Sequence, residues 1–230
     1  MKVKVHSRPE PLEIELQAAA IIVVDMQNAF LSKGGVFALA GLDISPAADT
    51  IAVIRGILDR SRSAGIRIVY LQMGYKEDLS NSGGENSPNW HKELALLLLR
   101  SKLKSIQNPL AEGSWGFAIV DDLKPRPGDL VVVKSRYSGF AGTQLDSLLR
   151  TRGIRYLFFA GVAANVCVES TLRDAFLLDY WPILITDATA QAGAAYLKQA
   201  TIENVENHFG WTMDSAQFLT DLNGRYEGER

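Results

Sequence analysis

Three side chains in this 230-residue chain stand where chemistry is possible: Asp25, Lys134 and Cys167. Each ends, or closely follows, a run of apolar and β-branched residues. Asp25 follows Ala19–Val24, Lys134 follows Leu130–Val133, and Cys167, the only cysteine, comes shortly after the run that reaches Gly161. Singly, each has a plain reading. Asp25 caps a turn, Lys134 reaches water at a sheet edge, and Cys167 is a buried structural thiol, since free cysteine is among the most buried residue types. Jointly they are the set that a cysteine hydrolase needs. A free thiol, with a pKa near about 8.5, is only partly ionised at neutral pH. Positive charge on Lys134 and the dipole of a helix starting at Cys167 would lower that pKa. Asp25 would take the thiol proton as general base. The sulfur would attack a carbonyl carbon, and backbone N–H groups in the tight turn from Val162 to Cys167 would hold the oxyanion. Loss of an amine or ammonia leaves an acyl-enzyme that water hydrolyses.

The elements around these residues follow from periodicity. Continuous apolar runs at 19–24, 66–71, 130–133, 154–161 and 182–186 suit strands buried on both faces of a parallel sheet, with a short last strand at 209–211. Helical spacing appears at 45–64 (Ile51, Ile54, Leu58), 91–99, 143–150, 166–178, 194–207 and 214–222. Thr143 is a candidate cap, and Gly65 and Gly153 end their helices. Strands alternating with helices give βαβ units. Right-handed crossovers then bring the carboxyl ends of the strands to one edge, where ligands bind in open α/β sheets. The three residues can meet there if their strands are neighbours. The chain reads as one domain, 1–230, with an N-terminal arm at 1–17 and a Gly-, Ser- and Asn-rich lid-like loop at 73–90 bracketed by Tyr75 and Trp90. Residues 101–116 read as irregular, with Trp115 expected to anchor them to the core.

Composition excludes several classes. A net charge of -2 with scattered lysines and arginines gives no electrostatic case for nucleic acid or an anionic membrane. The longest aliphatic runs, 18–24 and 94–99, are too short to span a bilayer. One cysteine makes no intramolecular disulfide, which points to a reducing, cytoplasmic setting. His6, His91 and His208 are far apart, no ligand spacing for a metal occurs, and no glycine fingerprint for a nucleotide is present, so neither metal nor cofactor is expected.

Asp25-Met26-Gln27-Asn28-Ala29-Phe30, Lys134 in Val-Lys-Ser-Arg-Tyr-Ser-Gly-Phe, and Gly161-Val162-Ala163-Ala164-Asn165-Val166-Cys167 together resemble the isochorismatase-like cysteine hydrolase superfamily. Gly83-Gly84 with Ser87-Pro88-Asn89, Gly113-Ser114-Trp115, Arg136 to Phe140, Asn165 to Asp174 and Phe209-Gly210-Trp211 resemble its ureidoacrylate-hydrolysing members of pyrimidine degradation. The resemblance implies a three-layer α/β/α sandwich around a six-stranded, mostly parallel sheet and an Asp25–Lys134–Cys167 triad. It also implies oxyanion donors at the N–H groups of Ala163 and Cys167, a cis peptide at Val162–Ala163, and a homo-oligomer. The activity implied is amide hydrolysis of a linear ureido or carbamoyl compound, ureidoacrylate first. Phe30, Met73, Tyr75, Asn89, Tyr137 and Val162 are the expected substrate shell, and for each ordinary core or loop packing is the other reading. Ala164 stands where the family usually has threonine. Met73, Tyr75 and Asn81 also depart from the ureidoacrylate pattern, which leaves open a less polar or aromatic amide. An inactive scaffold of the same fold is the reading from another class, and the complete triad argues against it.

Overall fold

The computed structural model describes residues 2–103 and 107–223. The arm forms an antiparallel pair, β1 (Lys2–Val5) and β2 (Leu12–Glu15), separate from the main sheet. β3 (Ala19–Val24) follows, and all six of its residues are fully buried. Two single helical turns, α1 (Asn28–Leu31) and α2 (Val36–Leu39), precede the long helix α3 (Ala47–Ser63). After β4 (Arg67–Met73) come α4 (Pro88–Lys92) and α5 (Leu94–Ser101). The remaining elements are β5 (Leu130–Lys134), α6 (Leu145–Arg150), β6 (Tyr156–Val162), α7 (Glu169–Leu177), β7 (Trp181–Ala190), α8 (Tyr196–Asn204), β8 (Trp211–Met213) and α9 (Ser215–Asn223).

The main sheet has six strands in the order β5-β4-β3-β6-β7-β8, and every pairing in it is parallel. The chain therefore winds outward from β3 through β4 to β5, returns, and winds the other way from β6 to β8. With right-handed crossovers this reversal puts α3 and α7 on opposite faces. It also makes the β3–β6 junction the switch point, where open α/β sheets hold ligands. α3 packs on β4, β6 and β7 and against α9, while α7 packs on β7. Burial of side chains such as Ile21, Ile22, Phe158 and Phe159 contributes about 1.5–3 kcal/mol each to holding the layers together.

The expected strands and helices are present with shifted ends. β5 is not buried on both faces. It is an edge strand, with Val131 and Val133 41% and 39% exposed and only Val132 and Lys134 facing inward. The last strand lies at Trp211–Met213 rather than 209–211, because Gly210 ends a π-helical turn over Val205–Phe209. The helix expected at 91–99 is two helices broken at Glu93, whose backbone is extended. Trp115 does not anchor its segment in the core. It is 56% exposed, and its ring lies over Gly34. No helix among the described residues is long and apolar enough to cross a membrane.

Candidate active site

At the switch point β3 and β6 run so close that a Cβ on Gly161 would lie 2.1 Å from the Val24 carbonyl oxygen. Gly161 also has φ 118°, a conformation that side chains rarely adopt, so glycine is required there. The chain leaves β6 through a cis peptide bond at Val162–Ala163, as the resemblance implied. It then enters a π-helical turn, Ala164–Val168, that runs into α7. The Ala163 carbonyl accepts from the N–H groups of Val166 and Val168 at 3.0 and 3.2 Å. Cys167 lies inside this turn, 7% exposed. Its carbonyl accepts from the Thr171 hydroxyl at 2.6 Å, and the Gly139 N–H donates to that hydroxyl oxygen at 3.0 Å. The helix that carries Cys167 is thereby tied to the loop that follows Lys134.

Asp25, just past β3, has φ 51°, the left-handed region where a non-glycine residue stays only if its surroundings hold it. Its N–H donates to the Leu71 carbonyl at 2.9 Å, and its own carbonyl accepts from Gln27 at 2.8 Å. Gln27, fully buried, locks the ends of β3 and β4 together. Its amide donates to the carbonyls of Met73 and Phe117 at 2.9 and 2.8 Å and accepts from the Met73 N–H at 2.8 Å.

Lys134 ends β5, which is separated from β3 by β4. The two strands are not neighbours, and the length of the lysine side chain closes the gap. Its Nζ donates to Asp25 Oδ2 at 2.8 Å and to the Arg136 carbonyl at 3.2 Å, with the two side chains 0% and 2% exposed. The other carboxylate oxygen, Oδ1, has no conventional hydrogen-bond partner, and the Cys167 thiol is the group coupled to this carboxyl beside Lys134. Burial raises the Asp25 pKa, and the lysine offsets that only in part. Burial alone would lower the Lys134 pKa, but Asp25 and Cys167 outweigh it and hold the ammonium charged. For Cys167 burial dominates, the lysine opposes it and Asp25 adds to it, so the thiol sits well above its ordinary value. Lys134 acts in the expected direction, but burial outweighs it and the net shift is upward. A thiol sealed in protein loses more solvation on ionising than one lysine, already paired with a carboxylate, restores.

A cavity opens beside these groups, lined by Asp25, Phe30, Tyr137, Val162, Ala163 and Cys167 together with Phe37, Glu93, Leu94, Val166 and Ala192. Of the expected substrate shell, Phe30, Tyr137 and Val162 line it. Met73, Tyr75 and Asn89 do not. Met73 is 1% exposed, held through its backbone by Gln27 and in register with Lys134. Tyr75 is fully buried; its hydroxyl donates to the Ser135 carbonyl at 3.5 Å and accepts from the Asn89 amide at 3.1 Å. Asn89 also donates to the Ser82 carbonyl at 3.1 Å. These three brace the loop after β4, which Arg136 and Asn81 tie further through their own hydrogen bonds.

Sequence reasoning missed Glu93, Phe37, Leu94, Val166 and Ala192. Glu93 had one visible signal, an acidic residue abutting the apolar run Leu94–Leu99. Ala192 reaches the cavity through Asn165, whose side chain donates to the Ala192 carbonyl at 3.1 Å and accepts from its N–H at 2.9 Å. Among the described residues no group of three or more His, Cys, Asp or Glu is placed to hold a metal ion.

A buried carboxylate–lysine pair coupled to a cysteine at the switch point of a six-stranded parallel sheet defines an isochorismatase-like α/β arrangement. The isochorismatase domain model matches residues 19–217, and the chain belongs to that family. Among its relatives, the ureidoacrylate amidohydrolase RutB of Azorhizobium caulinodans is 51% identical over 92% of this chain and 93% of its own. RutB of Yersinia enterocolitica is 47% identical over 93% of each chain. Among solved structures, a cysteine hydrolase from Pseudomonas syringae pv. phaseolicola superposes with a TM-score of 0.77 at 26% identity, covering 93% of this chain and 96% of that one. The N-carbamoylsarcosine amidase of Thermoplasma acidophilum superposes with a TM-score of 0.64 at 25% identity, covering 86% and 96%.

Proposed function

We propose that this protein is a cysteine amidohydrolase that releases ammonia from a linear ureido compound, with ureidoacrylate as its substrate. The observation that carries the reading is the buried Asp25–Lys134 ion pair coupled to the Cys167 thiol at the cavity, in a chain about half identical to ureidoacrylate amidohydrolases. Because the resting thiol is protonated, its proton moves to Asp25 as the sulfur attacks the ureido carbonyl, and Lys134 balances the negative charge that this transfer moves about the site. The oxyanion is held by the N–H groups of Ala163 and Cys167, in the turn whose Ala163 carbonyl is already engaged by the helix. Collapse breaks the bond to the terminal nitrogen, which leaves as ammonia with the proton from Asp25. The remaining S-carbamoyl, thioester-type enzyme is attacked by water, whose proton returns to Asp25. The thiol is regenerated and a carbamate departs, which then loses carbon dioxide.

The apolar lining from Phe30, Phe37, Leu94, Val162 and Val166 favours a second reading, a less polar amide cleaved by the same triad. Ammonia release from ureidoacrylate, from small aliphatic and aromatic amides and from N-carbamoyl compounds separates the two. The leading reading fails if ureidoacrylate is inert while another amide turns over. The single free cysteine suits a cytoplasmic enzyme. The exposed apolar surface around Phe176, Leu177 and Trp181 supports a homo-oligomer, which sedimentation would size.

A further inference from the structure

Glu93 is the buried carboxylate that the reaction above leaves unused. It is 3% exposed and lines the same cavity as Asp25 and Cys167. Its two oxygens accept from the N–H groups of Ala95 and Leu96, at 3.1 and 2.8 Å, at the start of α5. That capping role alone is a poor reason for a glutamate. A serine or aspartate caps a helix at least as well, and Ser87 does so for α4 next door. A serine would place no second, nearly dehydrated carboxylate beside Asp25 and Lys134, and an aspartate would hold its carboxylate one methylene further back. Burial raises the Glu93 pKa, while the two N–H groups of the cap and Lys134 favour the ionised form, whose carboxylate has about four acceptor positions, of which the cap uses two. Among the described residues the one hydroxyl on the cavity wall is spent: the Tyr137 hydroxyl donates to the Lys92 carbonyl at 2.9 Å and accepts from the Leu94 N–H at 3.0 Å. Every other uncommitted wall side chain is apolar, apart from Asp25 and Cys167.

We propose that Glu93 is a specificity residue that accepts hydrogen bonds from the N–H groups of the carbamoyl end of the substrate, and so selects ureido compounds over acyl compounds that lack N–H donors. The proposal rests on the amidohydrolase reading and names the group that reads its substrate. An acceptor-only side chain in a cavity of apolar walls rewards donors and repels anions, so the substrate carboxylate must point away from Glu93. The ureido group brings donors on both nitrogens, and its reacting carbon belongs at Cys167, the residue whose surroundings Glu93 shares.

The test compares the wild type with Glu93→Gln and Glu93→Asp, each first melted thermally to show that the cap and the fold survive. The readout is the ratio of kcat/KM on ureidoacrylate, by ammonia release, to kcat/KM on p-nitrophenyl acetate, an ester with no N–H donor attacked by the same thiol. In Glu93→Gln the ratio is expected to fall about 10- to 100-fold, the size of a lost hydrogen bond to a charged acceptor, with KM for the ureido compound rising. Glu93→Asp keeps charge and cap but withdraws the carboxylate, and the ratio falls there too. A ratio within about threefold of wild type in both folded variants overturns the proposal, as does an equal fall on both substrates. A wild type that hydrolyses the ester but not ureidoacrylate refutes the ureidoacrylate reading instead.

Discussion

Lys134 Nζ lies 2.8 Å from Asp25 Oδ2, although their strands are separated by a third and both side chains are sealed from solvent. Removing one member leaves the other as an unpaired buried charge. Lys134→Met is expected to cost about 3–5 kcal/mol of stability in urea melts and to abolish amide hydrolysis. Asp25→Asn keeps the shape, costs stability in the same way by leaving Lys134 unpaired, and has no carboxylate to take the thiol proton, so the kcat of its folded fraction should drop about 10²- to 10⁴-fold. A wild-type rate in Asp25→Asn removes it as the base.

Cys167→Ala should release no ammonia while melting within about 1 kcal/mol of wild type, since only the sulfur atom is lost from a small buried side chain. In the wild type, burial holds the thiol protonated, so alkylation by iodoacetamide should be slow at pH 7 and climb steadily through and beyond pH 9.0. A plateau reached by pH 7 would show a resting thiolate and contradict the coupled proton transfer.

Gln27 joins β3 to β4 through two buried hydrogen bonds and reaches Phe117 through a third, part-buried one. Gln27→Ala strands the Met73 N–H and takes a donor from the carbonyls of Met73 and Phe117, of which Phe117 keeps the Gln72 amide, for a loss of about 2–4 kcal/mol. Because Asp25 sits two residues away, kcat should fall as well, and a mutant with unchanged melting and unchanged kcat would show that the lock is dispensable.

Tyr137 gives the alkaline limb a defined sign. Burial, with Glu93 adding to it, pushes its phenol from 10.0 up to about 12. Below pH 10.0 folded and unfolded chains both keep the proton, and the contribution of Tyr137 is complete. Between pH 10.0 and about 12 the unfolded chain releases that proton first, so the contribution fades. The stability gap between wild type and Tyr137→Phe should therefore be constant from pH 7 to 9 and shrink on going to pH 11. A gap that widens above pH 10 would contradict it.

Gly161→Ala tests the switch point itself. A methyl 2.1 Å from the Val24 carbonyl oxygen, on a backbone at φ 118°, forces β3 and β6 apart. The expected cost exceeds about 4 kcal/mol and shows as loss of soluble protein.

The sequence by itself determined the alternation of strands and helices, the parallel sheet, and the three residues Asp25, Lys134 and Cys167. Apolar runs report burial, and a polar residue that ends such a run declares itself without knowledge of its partners. The cis bond at Val162–Ala163 was also in reach, through resemblance to the family. Strand order was not, because local periodicity carries no information about which strand lies beside which. Hence only the tertiary structure decided that Lys134 must stretch past β4 to reach Asp25. It also decided that Met73, Tyr75 and Asn89 support the loop after β4 while Glu93 and Ala192 face the cavity. Those assignments depend on hydrogen bonds between residues distant in the chain, such as Gln27 with Met73 and Tyr75 with Ser135. The direction of the Cys167 pKa was decided in the same way. A charge beside a thiol can be anticipated from residue types, but the loss of solvation that outweighs it exists only once the chain has closed around the sulfur.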